Sequence, residues 1–191
     1  MRDLKPFTAA TALALLASLA ACSDDAKTAP AAQTTETAQR TLAAAIGDAP
    51  NLTTVAGALS ESGLGDVFDG PGSYTLLAPD DRAFAALGEP GKALTDPAHR
   101  AELVAILRGH MIPGHLTTEA IAQAIAQKQG PVTMRTLADS AVTFSQAGDT
   151  ITVAGANGER ATIDGAGIIA SNGVVLPMDG LVKSAEPVTG T

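Results

Sequence analysis

The chain has 191 residues, 46% of them hydrophobic, with 20 acidic and 12 basic side chains and a formal charge of −8. That is the size and texture of one packed domain, and an acidic chain without a basic run excludes nucleic acid as an expected partner. A single cysteine and no tryptophan exclude a disulfide framework and a multi-thiolate zinc site.

Residues 1–21 read as an export signal. Arg2 and Lys5 give a positive start, and the apolar run from Ala9 to Ala21 falls short of the ~20 residues a membrane-spanning helix needs. The run closes on Leu19-Ala20-Ala21-Cys22, which is similar to the lipobox of bacterial lipoproteins. Cys22 is therefore the expected lipid attachment residue, and several acyl chains on it would anchor the protein stably to a membrane. Ser23 stands where an aspartate commonly signals inner-membrane retention, which favours the periplasmic face of the outer membrane or the cell surface. Acylation leaves no thiol for metal binding or nucleophilic catalysis. Residues 22–40 lack an apolar period and read as a lipidated, disordered tether, with a reach on the order of 23 Å.

From residue 41 the texture changes. Leu42, Ala45 and Ile46, then Leu52, Val55, Ala56 and Leu59, follow the spacing of amphipathic helices, with Gly63 and Gly65 ending the second. Tyr74 to Ala78 reads as a strand stopped by Pro79, after which Asp80 caps a helix through Phe84 and Leu87. Asp96 and Pro97 open a helix that places Leu103, Ile106, Leu107, His110 and Met111 on one face before Pro113 closes it. Thr117 or Thr118 caps a further helix bearing Ile121 and Ile125, ended by Gly130-Pro131.

Beyond Pro131 the period becomes two: Val132 and Met134, Val142 and Phe144, Ile151 and Val153, Ala161 and Ile163. Ala147-Gly148-Asp149 and Asn157-Gly158 fall between these strands as hairpin turns. Val174 to Leu176, with Leu181 and Val182, are expected to finish the sheet. Helices first and a meandering antiparallel sheet afterwards predict an α+β domain over residues 41–185, followed by a short tail at 186–191.

Three segments stand out together: Thr75-Leu-Leu-Ala-Pro-Asp-Asp-Arg-Ala-Phe-Ala-Ala-Leu87, Gly109-His-Met-Ile-Pro-Gly-His-Leu-Thr117, and Ser171-Asn-Gly-Val-Val-Leu-Pro-Met-Asp-Gly-Leu-Val182. In that order they resemble the fasciclin (FAS1, beta-Ig-H3) domain. Thr75, Ala78, Pro79, Ala83 and Phe84 match its strand-then-helix motif. His110, Pro113 and Gly114 match its Tyr-His-x-x-Pro-Gly segment, and Asn172, Gly173, Val174 and Asp179 match its closing segment. The resemblance implies a wedge of antiparallel strands packed with several helices. It also implies a non-catalytic binding or adhesion role, with His110, Ile112, Pro113, Gly114 and His115 as the candidate interaction segment. Gly109 departs from the family's usual tyrosine, Arg82 from an acidic residue, and Leu176-Pro177 from histidine and valine. Because that tyrosine is implicated in receptor contacts of animal members, Gly109 argues against an integrin-like mode.

Other chemistries have weaker footing. His110 and His115 lack the third and fourth ligands zinc wants, so His110 is expected as a core histidine bonded to backbone and no metal is assigned. Gly165-Ala-Gly167-Ile-Ile-Ala170 matches the dinucleotide fingerprint formally but is followed by Asn172-Gly173 and a strand instead of opening a helix. Asp80-Asp81 sits at a helix start, a structural place for acids. No catalytic residue or cofactor is assigned. With Phe68, Tyr74, Phe84 and Phe144 as its aromatics after the signal, most at core positions, tight polysaccharide binding is disfavoured. The expected partner is an envelope protein or matrix component. The alternative is carriage of an apolar small molecule, a pigment or lipid, in an aliphatic cleft.

Overall fold

The computed structural model describes residues 39–94 and 96–182. The expected signal, Cys22, most of the tether and the C-terminal tail lie outside them. No helix among the described residues is long and apolar enough to cross a membrane.

Helix α1, Leu42–Gly47, is capped by the Thr41 hydroxyl, which accepts from the Ala44 amide at 3.3 Å. Helix α2, Thr53–Ser62, ends where Gly63 turns left-handed at φ +71°, a conformation glycine adopts cheaply. Gly65, expected as a second terminator, instead opens α3, Gly65–Asp69, whose Phe68 is fully buried. Strand β1, Tyr74–Pro79, leads to Asp80, whose carboxylate caps α4, Asp81–Ala86, by accepting from the Ala83 amide at 2.7 Å.

Helix α5, Glu89–Leu94, has no counterpart in the sequence reading because Pro90 and Gly91 lie within it. Proline in a first turn forfeits no intrahelical bond, and Gly91 sits against the Phe84 carbonyl where a side chain would collide. Asp96 caps a 3₁₀ turn, Pro97–His99, that runs into α6, Arg100–Gly109. That helix ends before His110. Met111, expected on its apolar face, lies in strand β2, Met111–Pro113, where pairing with β1 satisfies the backbone. Thr117 caps α7, Thr118–Lys128.

The remaining strands are β3, Val132–Arg135; β4, Ala141–Ala147; β5, Thr150–Ala154; β6, Arg160–Thr162; β7, Ile168–Ala170; and β8, Gly173–Met178. Among the described residues they form two four-stranded sheets, ordered β2-β1-β8-β7 and β3-β4-β5-β6. The second is the antiparallel meander that alternation predicts, with Phe144 opposite Val153 and Val153 opposite Ala161. The first corrects the expectation of a single sheet. β8 leaves the meander to pair parallel with β1, aligning Thr75 with Val174 and Leu77 with Leu176, while Leu181 and Val182 lie beyond its end outside any strand. The Gly165–Ala170 stretch holds β7, an edge strand that pairs antiparallel with β8.

The first sheet lies between two cores. Leu76, Ala78 and Val175 face the helices, packing with Leu42, Ile46, Val55, Phe68 and Leu107. Leu77, Val174, Leu176 and Met178 face the second sheet, packing with Phe144, Val153 and Ile121. Helices on one side and antiparallel-rich sheets on the other make the architecture α+β.

Candidate functional site

The candidate segment begins inside the protein and emerges from it. His110 is fully buried. Its Nδ1 lies 2.8 Å from the Ile106 carbonyl, and its Nε2 accepts from the Val182 amide at 3.2 Å. A carbonyl can only accept and an amide N–H can only donate, so these partners place the ring proton on Nδ1. With both ring nitrogens engaged, His110 fastens Val182, just beyond β8, to the end of α6. Ile112 is also buried, at the second core, so neither residue offers a surface to a partner.

Pro113 and His115 are exposed and Gly114 is half-buried. Gly114 adopts φ +108°, a left-handed backbone that disfavours side chains, and its amide donates to the Ser73 carbonyl at 2.9 Å. The Thr75 hydroxyl, fully buried in β1, donates to the Gly114 carbonyl at 2.8 Å and accepts from the Leu116 amide at 2.9 Å. One hydroxyl thus holds both sides of the turn, and Thr117 begins α7 immediately after. The turn, with Pro113 and His115 exposed on it, is clamped to a central strand.

The other motif residues are ties within the fold. Asn172 accepts from the Leu42 amide at 2.8 Å and donates to the carbonyls of Phe68 and Gly70, joining α1 and α3 to the start of β8. At Gly173 the backbone passes so close to the Tyr74 carbonyl and the Leu42 side chain that no Cβ fits. Asp179 accepts from the Thr162 amide at 2.6 Å, linking the ends of β8 and β6. Ala78, Ala83, Phe84 and Val174 are buried.

Two ties leave little trace in sequence. Helix α2 has Leu52 at its N-cap and no side-chain cap of its own. Asp81 fills that role from a distant position, accepting from the amides of Thr53 at 3.2 Å and Thr54 at 2.8 Å. Burial alone pushes the Asp81 carboxyl up, but the hydrogen bonds from Thr54 and Thr53 together outweigh it and hold the group below its ordinary value of 3.8. A helix starting at Leu52-Thr53 without a capping residue was the available signal. Arg82 bridges the Asp80 and Asp164 carboxylates at 2.7 and 3.0 Å, the Asp80 bond chiefly raising its guanidinium further above its usual range. Among the described residues, no three His, Cys, Asp or Glu side chains converge where a metal ion could be held.

Residues 50–183 match the model of the Fasciclin domain. The chain belongs to the fasciclin family. It is 28% identical over 180 residues to Protein sll1483 of Synechocystis, covering 92% of this chain and 93% of that protein. It is 28% identical over 131 residues to the transforming growth factor-beta-induced protein ig-h3 of Sus scrofa, covering 68% of this chain and 17% of the pig protein. The fold resembles that of a FAS1 domain pair from the insect cell adhesion molecule Fasciclin I, with a TM-score of 0.67 and 14% identity over 76% of this chain and 51% of that one. The chain thus spans a small part of the pig protein and about half of the solved pair. Fasciclin domains are, as a class, adhesion-related modules.

Proposed function

We propose that this fasciclin protein is exported, anchored through lipid on Cys22 to the periplasmic face of the outer membrane or the cell surface, and acts there as a non-catalytic binding or adhesion module. Its contact surface is the turn Pro113-Gly114-His115, and its partner is an envelope protein or matrix component. The observation that carries this reading is the Thr75 clamp. A turn whose backbone is already fixed on both sides loses little conformational entropy when it binds, and that saving appears as affinity. The solved FAS1 domain pair comes from an insect cell adhesion molecule, which favours the same class of role.

The adjacent acids Asp80 and Asp81, the obvious pair for acid–base work, are committed elsewhere: Asp80 caps α4 with one oxygen and pairs with Arg82 through the other, and Asp81 caps α2 with both. Three phenylalanines, Phe68, Phe84 and Phe144, are buried and unable to stack on sugars, consistent with a protein partner over a polysaccharide.

Crosslinking in the native envelope tests the site. His115→Ala and Pro113→Ala should fold normally and lose the wild-type adduct, whereas unchanged adducts from both would overturn the assignment. Palmitate labelling that disappears in Cys22→Ala supports the anchor, and an unlabelled wild-type protein would overturn it.

A further inference from the structure

We propose that Asn157 is a site of spontaneous covalent modification, where the turn between β5 and β6 converts its asparagine through a cyclic imide to aspartate and isoaspartate. The reaction consumes water and releases ammonia. It is independent of the role given to the Pro113–His115 turn.

The chain contains three asparagines, and the fold treats each differently. Asn51 precedes Leu52, whose side chain crowds the peptide nitrogen that would have to attack. Asn157 and Asn172 both precede glycine, which leaves that nitrogen open, so in an unfolded chain the two are equivalent. At Asn172 the carboxamide is held from both ends, its oxygen by the Leu42 amide and its nitrogen by the carbonyls of Phe68 and Gly70. Gly173 is pinned in β8 between Tyr74 and Ala170. Neither group can swing toward the other without breaking several hydrogen bonds.

Asn157 has none of this restraint. Ala156, Asn157 and Gly158 are all exposed, and the Asn157 carboxamide makes no hydrogen bond among the described residues. Gly158 lies at φ +92°, with open space where a side chain would project. Its amide donates to the Gly155 carbonyl at 3.2 Å, a long bond at an exposed hairpin end, where local opening costs little. Once that bond opens and the amide gives its proton to hydroxide, the Gly158 nitrogen attacks the side-chain carbonyl carbon of Asn157. The N–Cγ bond forms, the Cγ–Nδ2 bond breaks, and Nδ2 takes a proton from water and leaves as ammonia. Water then opens the imide at either carbonyl. Opening at Cγ restores the ordinary backbone as aspartate, whereas opening at the main-chain carbonyl routes the chain through Cγ as isoaspartate. Both products add a negative charge. The isoaspartyl form also lengthens the turn by a methylene, which misaligns the Gly155 amide and the Glu159 carbonyl that close the hairpin at 2.9 Å.

The test incubates the full chain at mildly alkaline pH, folded and in urea, and follows its peptides by mass spectrometry with chromatographic separation of isomers. In the folded protein the Asn157 peptide should gain the mass of an amide-to-acid exchange and split into two isomers, at least ~10-fold faster than the Asn172 peptide. In urea the two peptides should convert at similar rates. Gly158→Ala should slow the folded reaction at Asn157 at least ~10-fold by crowding the attacking nitrogen. Should alanine at this left-handed φ prevent folding, Asn157→Gln carries the test, because its longer side chain closes an imide far less readily and its peptide should keep its mass. Equal rates at Asn157 and Asn172 in the folded protein, an Asn157 peptide unchanged after the urea-unfolded chain has converted, or an undiminished rate in a folded variant would overturn the proposal.

Discussion

The two sheets bury their strands in different ways. In the first, β1 and β8 are buried on both faces: adjacent residues Leu76 and Leu77 are each fully inaccessible, one in the helical core and the other between the sheets. In the second, burial alternates. Val142, Phe144, Ile151 and Val153 point inward, while Thr143 and Thr152 between them are half-exposed. The lesson is that the length of an apolar run reports how many sides of a strand are covered. Tyr-Thr-Leu-Leu-Ala-Pro and Gly-Val-Val-Leu-Pro-Met are nearly unbroken because each central strand serves two cores, and such strands pair parallel in the middle of a sheet.

Truncating adjacent side chains separates the two sheets most sharply. Leu76→Ala and Leu77→Ala should each cost about 2–5 kcal/mol in urea unfolding, one per core. In the second sheet the pair splits: Phe144→Ala should cost about 3–5 kcal/mol, while Thr143→Ala stays within about 1 kcal/mol. Equal losses at Phe144 and Thr143 would refute one-sided burial there.

Polar ties come next in size. Asn172→Ala strands the Leu42 amide and the Phe68 carbonyl, and Thr75→Val strands the Leu116 amide and the Gly114 carbonyl, so each should cost about 1–3 kcal/mol. Asp81→Ala removes the distant cap of α2 and should cost about 0.5–2 kcal/mol at neutral pH. Because the folded Asp81 carboxyl titrates below 3.8, its contribution is present above that pH and fades as the pH falls through the lowered folded value. Asp81→Asn should flatten that acid limb in a pH series of melting curves. The smallest effect is His115→Ala, exposed and outside the core, which should leave stability within about 0.5 kcal/mol while weakening partner capture.

How much of this was legible in the sequence follows the same division. The meander showed itself through Val142-x-Phe144 and Ile151-x-Val153, and the helix starts through Asp80, Asp96 and Thr117. The parallel return of β8 did not, since Val174-Val175-Leu176 carries no sign of which strand lies beside it, and β1 is remote in the chain. Edge strand β7 was hidden in a glycine-rich stretch where Gly167 packs too close to Leu176 and Val174 for a side chain. At the candidate site the motif pointed to residues 110–115 together. Burial separates them, because His110 and Ile112 look inward from the α6–β2 junction and Pro113 and His115 look outward. The Thr75 clamp was invisible, because a threonine in a strand ordinarily reads as a β-branched filler.

The most direct test of the account compares wild type with Thr75→Val for binding to envelopes isolated from the native host. The substitution keeps the shape of the side chain and removes only the hydroxyl that fixes the exposed turn. If preorganisation drives recognition, the variant remains folded with a lowered melting temperature and binds as weakly as His115→Ala. Full binding by a folded Thr75→Val protein would contradict the claim that the clamped turn is the contact surface.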